Sequence, residues 1–130
     1  MTWDEEMADL QSAKYLLDNL DVLTVHFEGG SQGEFYVVTS IEDKIQGLSS
    51  LDFLDTDGML FCFAQDSYIP FTMRDMKINL SIAFFDSSGG LLSSGSYEAR
   101  DPAPVVCSNP PYRYVLECPE NSYGGADLKI

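Results

Sequence analysis

The residues best equipped for chemistry are Arg74 and Asp75, which end an apolar run, and Arg113 and Glu117, which stand on a later alternating segment. An Arg among apolar neighbours needs a carboxylate partner, and in an extended chain Asp75 points to the opposite side from Arg74. Asp57, Asp86 or Glu117 is therefore expected beside Arg74. Two roles stay open for it: a structural ion pair, or a site that holds a small anionic ligand. For catalysis the inventory is thin. His26 is the single His, on the polar side of a strand with no readable partner. The serines fall in turns rather than at a nucleophile elbow, and no Cys–His pairing supports covalent chemistry. One His and scattered carboxylates lack metal-ligand spacing. Asp55, Asp57 and Gly58 echo a calcium loop, but Phe53 and Ala64 occupy its first and twelfth ligand positions. Met59, Met73 and Met76 read as core filler. No catalytic residue and no cofactor is assigned, and the reading leans away from an enzyme.

Composition narrows the partners. Acidic residues outnumber basic ones 21 to 7, for a net charge of −14. Direct nucleic-acid binding needs Lys and Arg clusters that are absent, and an anionic membrane surface repels such a chain. The surplus fits a solubilising surface, or an acidic decoy that mimics DNA and occupies a basic groove on another protein. Cys62, Cys107 and Cys118 have no paired spacing, so reduced thiols are expected. Acidic residues stand where a signal peptide would be basic, and no apolar run reaches membrane-span length. These features point to a cytoplasmic protein.

The elements that must position these groups follow from periodicity. Met59 to Ala64 is apolar on both sides, with Met59, Phe61 and Phe63 opposed to Leu60, Cys62 and Ala64, as in a strand buried on two faces. Phe71–Met73 and Leu80–Phe85 are further apolar runs, and DSSGG at 86–90 turns into a weaker strand over 91–97. Before this block, residues 22–27 alternate, GGSQG at 29–33 is a turn, and residues 35–39 are β-prone, which together predict a hairpin. The glycines do not cradle phosphate, since neither a Lys nor a helix start follows them. Ser40–Ile45 predicts a short helix ended by Gly47. Residues 101–111 carry four prolines and predict extended loop. Tyr112 to Cys118 alternates, with Tyr112, Tyr114, Leu116 and Cys118 facing away from Arg113, Val115 and Glu117, and Leu128–Ile130 is placed on a sheet edge. Residues 3–20 predict an amphipathic helix, with an apolar stripe of Trp3, Met7, Leu10, Leu17 and Leu20. The expected architecture is a single α+β domain over 1–130. Its mainly antiparallel sheet or small barrel spans 22–130, with one short helix and the N-terminal helix packed outside.

GMLFCF at 58–63, FTMRDM at 71–76, LSIAFFDSSG at 80–89 and YVLE at 114–117 occur in order, downstream of Gly47-Leu48. As a set they resemble the bacterial, archaeal and phage family called domain of unknown function 192, over about residues 22–130. The resemblance implies a mainly antiparallel β domain with a short helix and no established activity, and leaves a phage origin open. The chain departs from the family's polar signature. Ser49, Ser50 and Leu51 replace Met, an aromatic and Arg, and Thr72 replaces Trp. Arg74, Asp75 and Met76 replace Lys-Asn-Thr, and Asn79, Leu80 and Ser81 replace Pro-Leu-Asp. The resulting expectation is a non-enzymatic binding or accessory module, with an acidic decoy and an anion binder using Arg74 as alternatives. The partner is an unidentified protein or small molecule.

An isolated helix over 3–20 is marginal in water, so its stripe must pack on its own domain or on a second copy in a homodimer. Deleting residues 1–20 separates the two. The intramolecular cap, the expected arrangement, predicts an aggregating or molten product in size-exclusion and near-ultraviolet dichroism measurements. A folded monomer obtained from a dimeric parent contradicts it.

Overall fold

The computed structural model describes residues 20–39 and 55–130, and strands organise all of that part. In chain order they are β1 (Asp21–His26), β2 (Gln32–Val38), β3 (Gly58–Ser67), β4 (Phe71–Thr72), β5 (Leu80–Phe85), β6 (Leu91–Tyr97), β7 (Pro104–Val105) and β8 (Tyr112–Pro119). The main sheet has six strands in the order β1-β2-β3-β8-β5-β6, while β4 and β7 pair as a small sheet of their own. The expected hairpin is present, antiparallel from Asp21 opposite Val37 to His26 opposite Gln32. Gly29 and Gly30 turn it at φ of +94° and +100°, where a Cβ is unfavourable.

The α+β expectation is corrected: among the described residues the molecule is all-β, without a helix, and its sheet is mixed rather than antiparallel and is not closed into a barrel. β2 runs parallel to β3, with Phe35 opposite Gly58 and Val38 opposite Phe61. Parallel neighbours need a crossover of a dozen or more residues, and the chain between 38 and 58 is long enough to supply one. The helices expected at 3–20 and 40–45 lie outside the described residues.

β8 is the axis of the sheet. It pairs antiparallel with β3, Met59 opposite Glu117, and with β5, Ile82 opposite Glu117. Both faces of these strands are buried. On the first face Met59, Phe61, Ile82, Phe84 and Val115 form one core, covered by Met73, Met76 and Val105 from the small sheet and its connections. On the second face Phe35, Leu60, Ala83, Phe85, Leu116 and Cys118 form another. The two-sided pattern read at Met59–Cys62 therefore holds. At Tyr112 the expected alternation fails: this residue joins Val115 in the first core, at the end of β8 where the β3–β8 register shifts. Its hydroxyl there donates to the Ile69 carbonyl at 2.6 Å. Cys107 sits in the first core and Cys118 in the second, and none of the three cysteines forms a disulfide among the described residues.

The C-terminal residues form a strap across the second face. Leu128 bridges to Phe27. The Glu28 amide donates to the Asp127 carbonyl at 2.9 Å, and the Lys129 amide to His26 at 2.9 Å. The Leu128 amide donates to Gly89 at 2.8 Å, and Asp127 Oδ1 accepts the Leu91 amide at 2.8 Å. The end of β1 is thereby tied to the β5–β6 turn. That turn is closed by Asp86, whose Oδ1 accepts from the Ser88 amide, the Ser88 hydroxyl and the Gly90 amide. These bonds hold its carboxyl below the usual range, the Ser88 hydroxyl first among them.

β3 lies close against β8 at Gly58. With φ at +154°, a Cβ there would stand 2.2 Å from the Glu117 carbonyl oxygen and 3.1 Å from Cys118 Cα. Both obstacles are backbone and cannot swing away. Gly58→Ala is expected to cost roughly 2–4 kcal/mol, from combined strain and overpacking. Gly30→Ala, with open space around it, should cost about 1 kcal/mol for its backbone alone. Urea titration of the two variants checks the ranking, and equal midpoints would contradict the close approach.

Candidate functional site

The four residues singled out for chemistry do not converge. Arg74 and Asp75 are the exposed central residues of a turn closed by the Met76 amide donating to the Met73 carbonyl at 3.1 Å. β4 ends at Thr72, whose hydroxyl accepts the Arg74 amide at 3.1 Å, so the Arg74 side chain faces solvent instead of a core. Among the described residues none of the carboxylates expected beside it pairs with it. Arg113 instead reaches Asp66, with Nε and Nη2 at 3.1 and 2.9 Å from Oδ1, as a partly exposed surface pair. Such a pair contributes about 0–1 kcal/mol.

Glu117 alone is deeply buried, at 4% exposure. It follows Leu116 and precedes Cys118, both on the second face, so its side chain projects from the first, between Met59 and Ile82. Desolvation in these apolar surroundings pushes its carboxyl up to about 8. Below that pH it is a neutral acid, able to donate one hydrogen bond and accept others.

A second arrangement, absent from the sequence reading, lies on the other face. The strap does not lie flat on the sheet. Between it, the β1–β2 hairpin and β8 is a cleft of about 370 Å³, within the range of small-molecule sites. Its floor is Leu116 and Cys118 of β8 with Phe35 of β2, and Phe27 and Tyr123 stand as walls. The walls are aromatic and set at steep angles: Phe27 lies 6.1 Å from Phe35 at 70° and 6.3 Å from Tyr123 at 53°. The rim is polar, with Ser31, Gln32, Asp57 and Ser122.

Asp57 is held in place by a reciprocal pair of bonds. Its amide donates to the Glu34 carbonyl at 2.8 Å, and its Oδ2 accepts the Glu34 amide at 2.9 Å. Gly33 makes room for it, since a Cβ there would stand 2.8 Å from Oδ2. Oδ1 has no partner among the described residues. Burial raises the Cys118 thiol, and nearby Glu117 and Asp57 add to this, so the floor carries a neutral thiol rather than a nucleophilic thiolate. Tyr123 is pushed up to about 12 by burial and then by Asp127 and Cys118, which keeps its phenol neutral. Among the described residues no cluster of three or more His, Cys, Asp or Glu is placed to hold a metal.

A mixed, two-faced β-sheet with a C-terminal strap thus defines the class of domain, and comparison with known proteins places it. The model of the family described as Uncharacterized ACR, domain of unknown function 192, matches residues 24–130, and the chain belongs to that family. The resemblance seen in the motifs is therefore confirmed. No curated protein matches the sequence. Two crystal structures share the fold. A protein of unknown function from Novosphingobium aromaticivorans aligns with a TM-score of 0.70 at 20% identity, covering 85% of each chain. A protein provisionally described as a transcription regulator, from Sinorhizobium meliloti, aligns with a TM-score of 0.66 at 18% identity over 82% of this chain and 89% of that one.

The cleft draws on residues 27–35, 56–57 and 116–126, so no contiguous motif announces it. The available signals were Phe27 and Phe35 flanking a glycine-rich turn, and Tyr123 before Gly124-Gly125.

Glu117 makes stability depend on pH. An unfolded Glu titrates near 4.5, so between that value and about 8 the folded chain holds a proton that the unfolded chain releases. The carboxyl's burial is free of penalty below 4.5, becomes steadily more costly as pH rises, and levels off above about 8. Glu117→Gln keeps the shape without the proton. Its unfolding free energy relative to the parent should rise by roughly 2–4 kcal/mol from pH 5 to pH 8. Denaturation of both proteins at the two pH values reads this directly, and a pH-independent difference would mean a solvated, ionised Glu117.

Proposed function

We propose that this chain is a binding domain that accommodates a small molecule in the cleft between the second sheet face and the C-terminal strap. One observation carries the reading: an aromatic-walled cleft with a polar rim, on the face opposite the buried Glu117. Small-molecule sites share this makeup, an apolar interior with a few placed polar groups. The floor is rigid, since Leu116 and Cys118 belong to the doubly paired central strand. The strap supplies an adjustable wall, because short loop segments open more readily than central strands. Among the described residues the cleft offers hydrogen-bonding groups and a neutral thiol but no base poised beside a nucleophile, which favours retention of a ligand over its conversion. The anion-binding alternative rests on Arg74, and neither it nor Arg113 lines the cleft.

A fragment screen followed by amide chemical shifts tests the proposal. Hits should perturb Phe27, Phe35, Leu116 and Tyr123 together. Ser31→Trp, a rim substitution at an exposed position, should abolish binding while leaving the melting temperature within about 2 °C. Hits scattered over the surface, or unaffected by Ser31→Trp, contradict it.

A further inference from the structure

We infer that the cleft takes a cationic ligand, a substituted ammonium group with a compact apolar body, held between the aromatic wall and Oδ1 of Asp57. This inference rests on the cleft being a binding site and names what it selects. Among the described residues three rings line it, Phe27, Phe35 and Tyr123, and Phe27 packs against the other two at 70° and 53°. These contacts fix the rings against one another, so the wall they present to the cleft is a preformed aromatic surface. Aromatic faces carry the negative part of the ring quadrupole and attract cations within about 6 Å. Tyr123 is the stronger contributor of the three, and its hydroxyl is already engaged with the Ala126 carbonyl, which fixes the ring.

Charge selects the sign of the ligand. Asp57 is anchored through Oδ2 to the Glu34 amide and braced against Gly33, leaving Oδ1 without a partner among the described residues. Among the described residues no Lys or Arg lines the cleft. Two carboxylates lie near the cleft: Asp57 adds to the upward shift of the Cys118 thiol, and Asp127 to that of Tyr123. A carboxylate ligand would meet repulsion there without a compensating cation, and a neutral apolar ligand would leave Asp57 Oδ1 to water alone. An alkylated ammonium satisfies both the rings and the acid, and its low hydration makes transfer into the cleft less costly than for a primary amine.

The probes are choline and its neutral carbon isostere 3,3-dimethylbutan-1-ol, titrated into the full chain and followed by amide shifts of Phe27, Phe35 and Tyr123. Choline should bind at least tenfold more tightly than the alcohol. Asp57→Asn keeps an acceptor for the Glu34 amide while removing the charge, and should bring the two probes within about threefold of each other. Tyr123→Leu should weaken choline more than the alcohol. If the alcohol binds as well as choline, or Asp57→Asn leaves the preference intact, the cationic inference fails while the cleft stands as a binding site. If neither probe binds and fragments of other chemistry do, the inference fails in the same way. If no probe and no fragment perturbs the cleft, the underlying reading fails with it.

Discussion

The central constraint is the burial of β8 on both faces while it is hydrogen-bonded on both edges. Paired with β3 and β5, its backbone groups are satisfied without water, so its side chains can fill two cores at once. Val115 serves one core and Leu116 and Cys118 the other. Gly58 lets β3 come close enough to complete this arrangement. Every other feature depends on it: the first face receives the small sheet, the second receives the strap, and the cleft exists because the strap spans more surface than it fills.

Two chemically different places result from this division. On the first face an acid, Glu117, is buried between Met59 and Ile82 and held neutral by desolvation. On the second, Asp57 stands at the rim of an aromatic cleft, with one oxygen unengaged among the described residues. Two carboxylates on one domain thus have opposite environments, one buried among apolar side chains and the other exposed. The second is the one a ligand can reach.

Much of the fold was legible in the sequence because strand periodicity is local. The two-faced run at Met59–Cys62, the first hairpin and the Asp86 turn each follow from neighbouring residues. The parallel β2–β3 pairing was not, because it depends on where a long connection delivers the chain, which no local pattern encodes. The placement of Tyr112 was missed as well: it joins the first core through packing with Phe63, Phe71 and Phe84 from other segments. Of the site, Glu117 was visible as a candidate but not as a buried acid, since its depth comes from Met59 and Ile82 on other strands. Arg74 was misjudged because its run was taken to continue as a strand, whereas β4 stops at Thr72. Asp57 was read as part of a failed calcium loop and as a possible partner of Arg74, whereas its neighbours, Gly33 and Glu34, precede it by more than twenty residues.

The strap is docked on the second face and so gives the cleft its wall. Native-state amide hydrogen exchange measures this directly. The amides of Val115–Cys118 should exchange most slowly, through global unfolding. Those of Glu28, Leu128 and Lys129, which bond to or from the strap, should be protected yet open together in a less costly step. Exchange of the three strap-linked amides at unprotected rates would mean that the wall is not in place, and the site built on it would have to be abandoned.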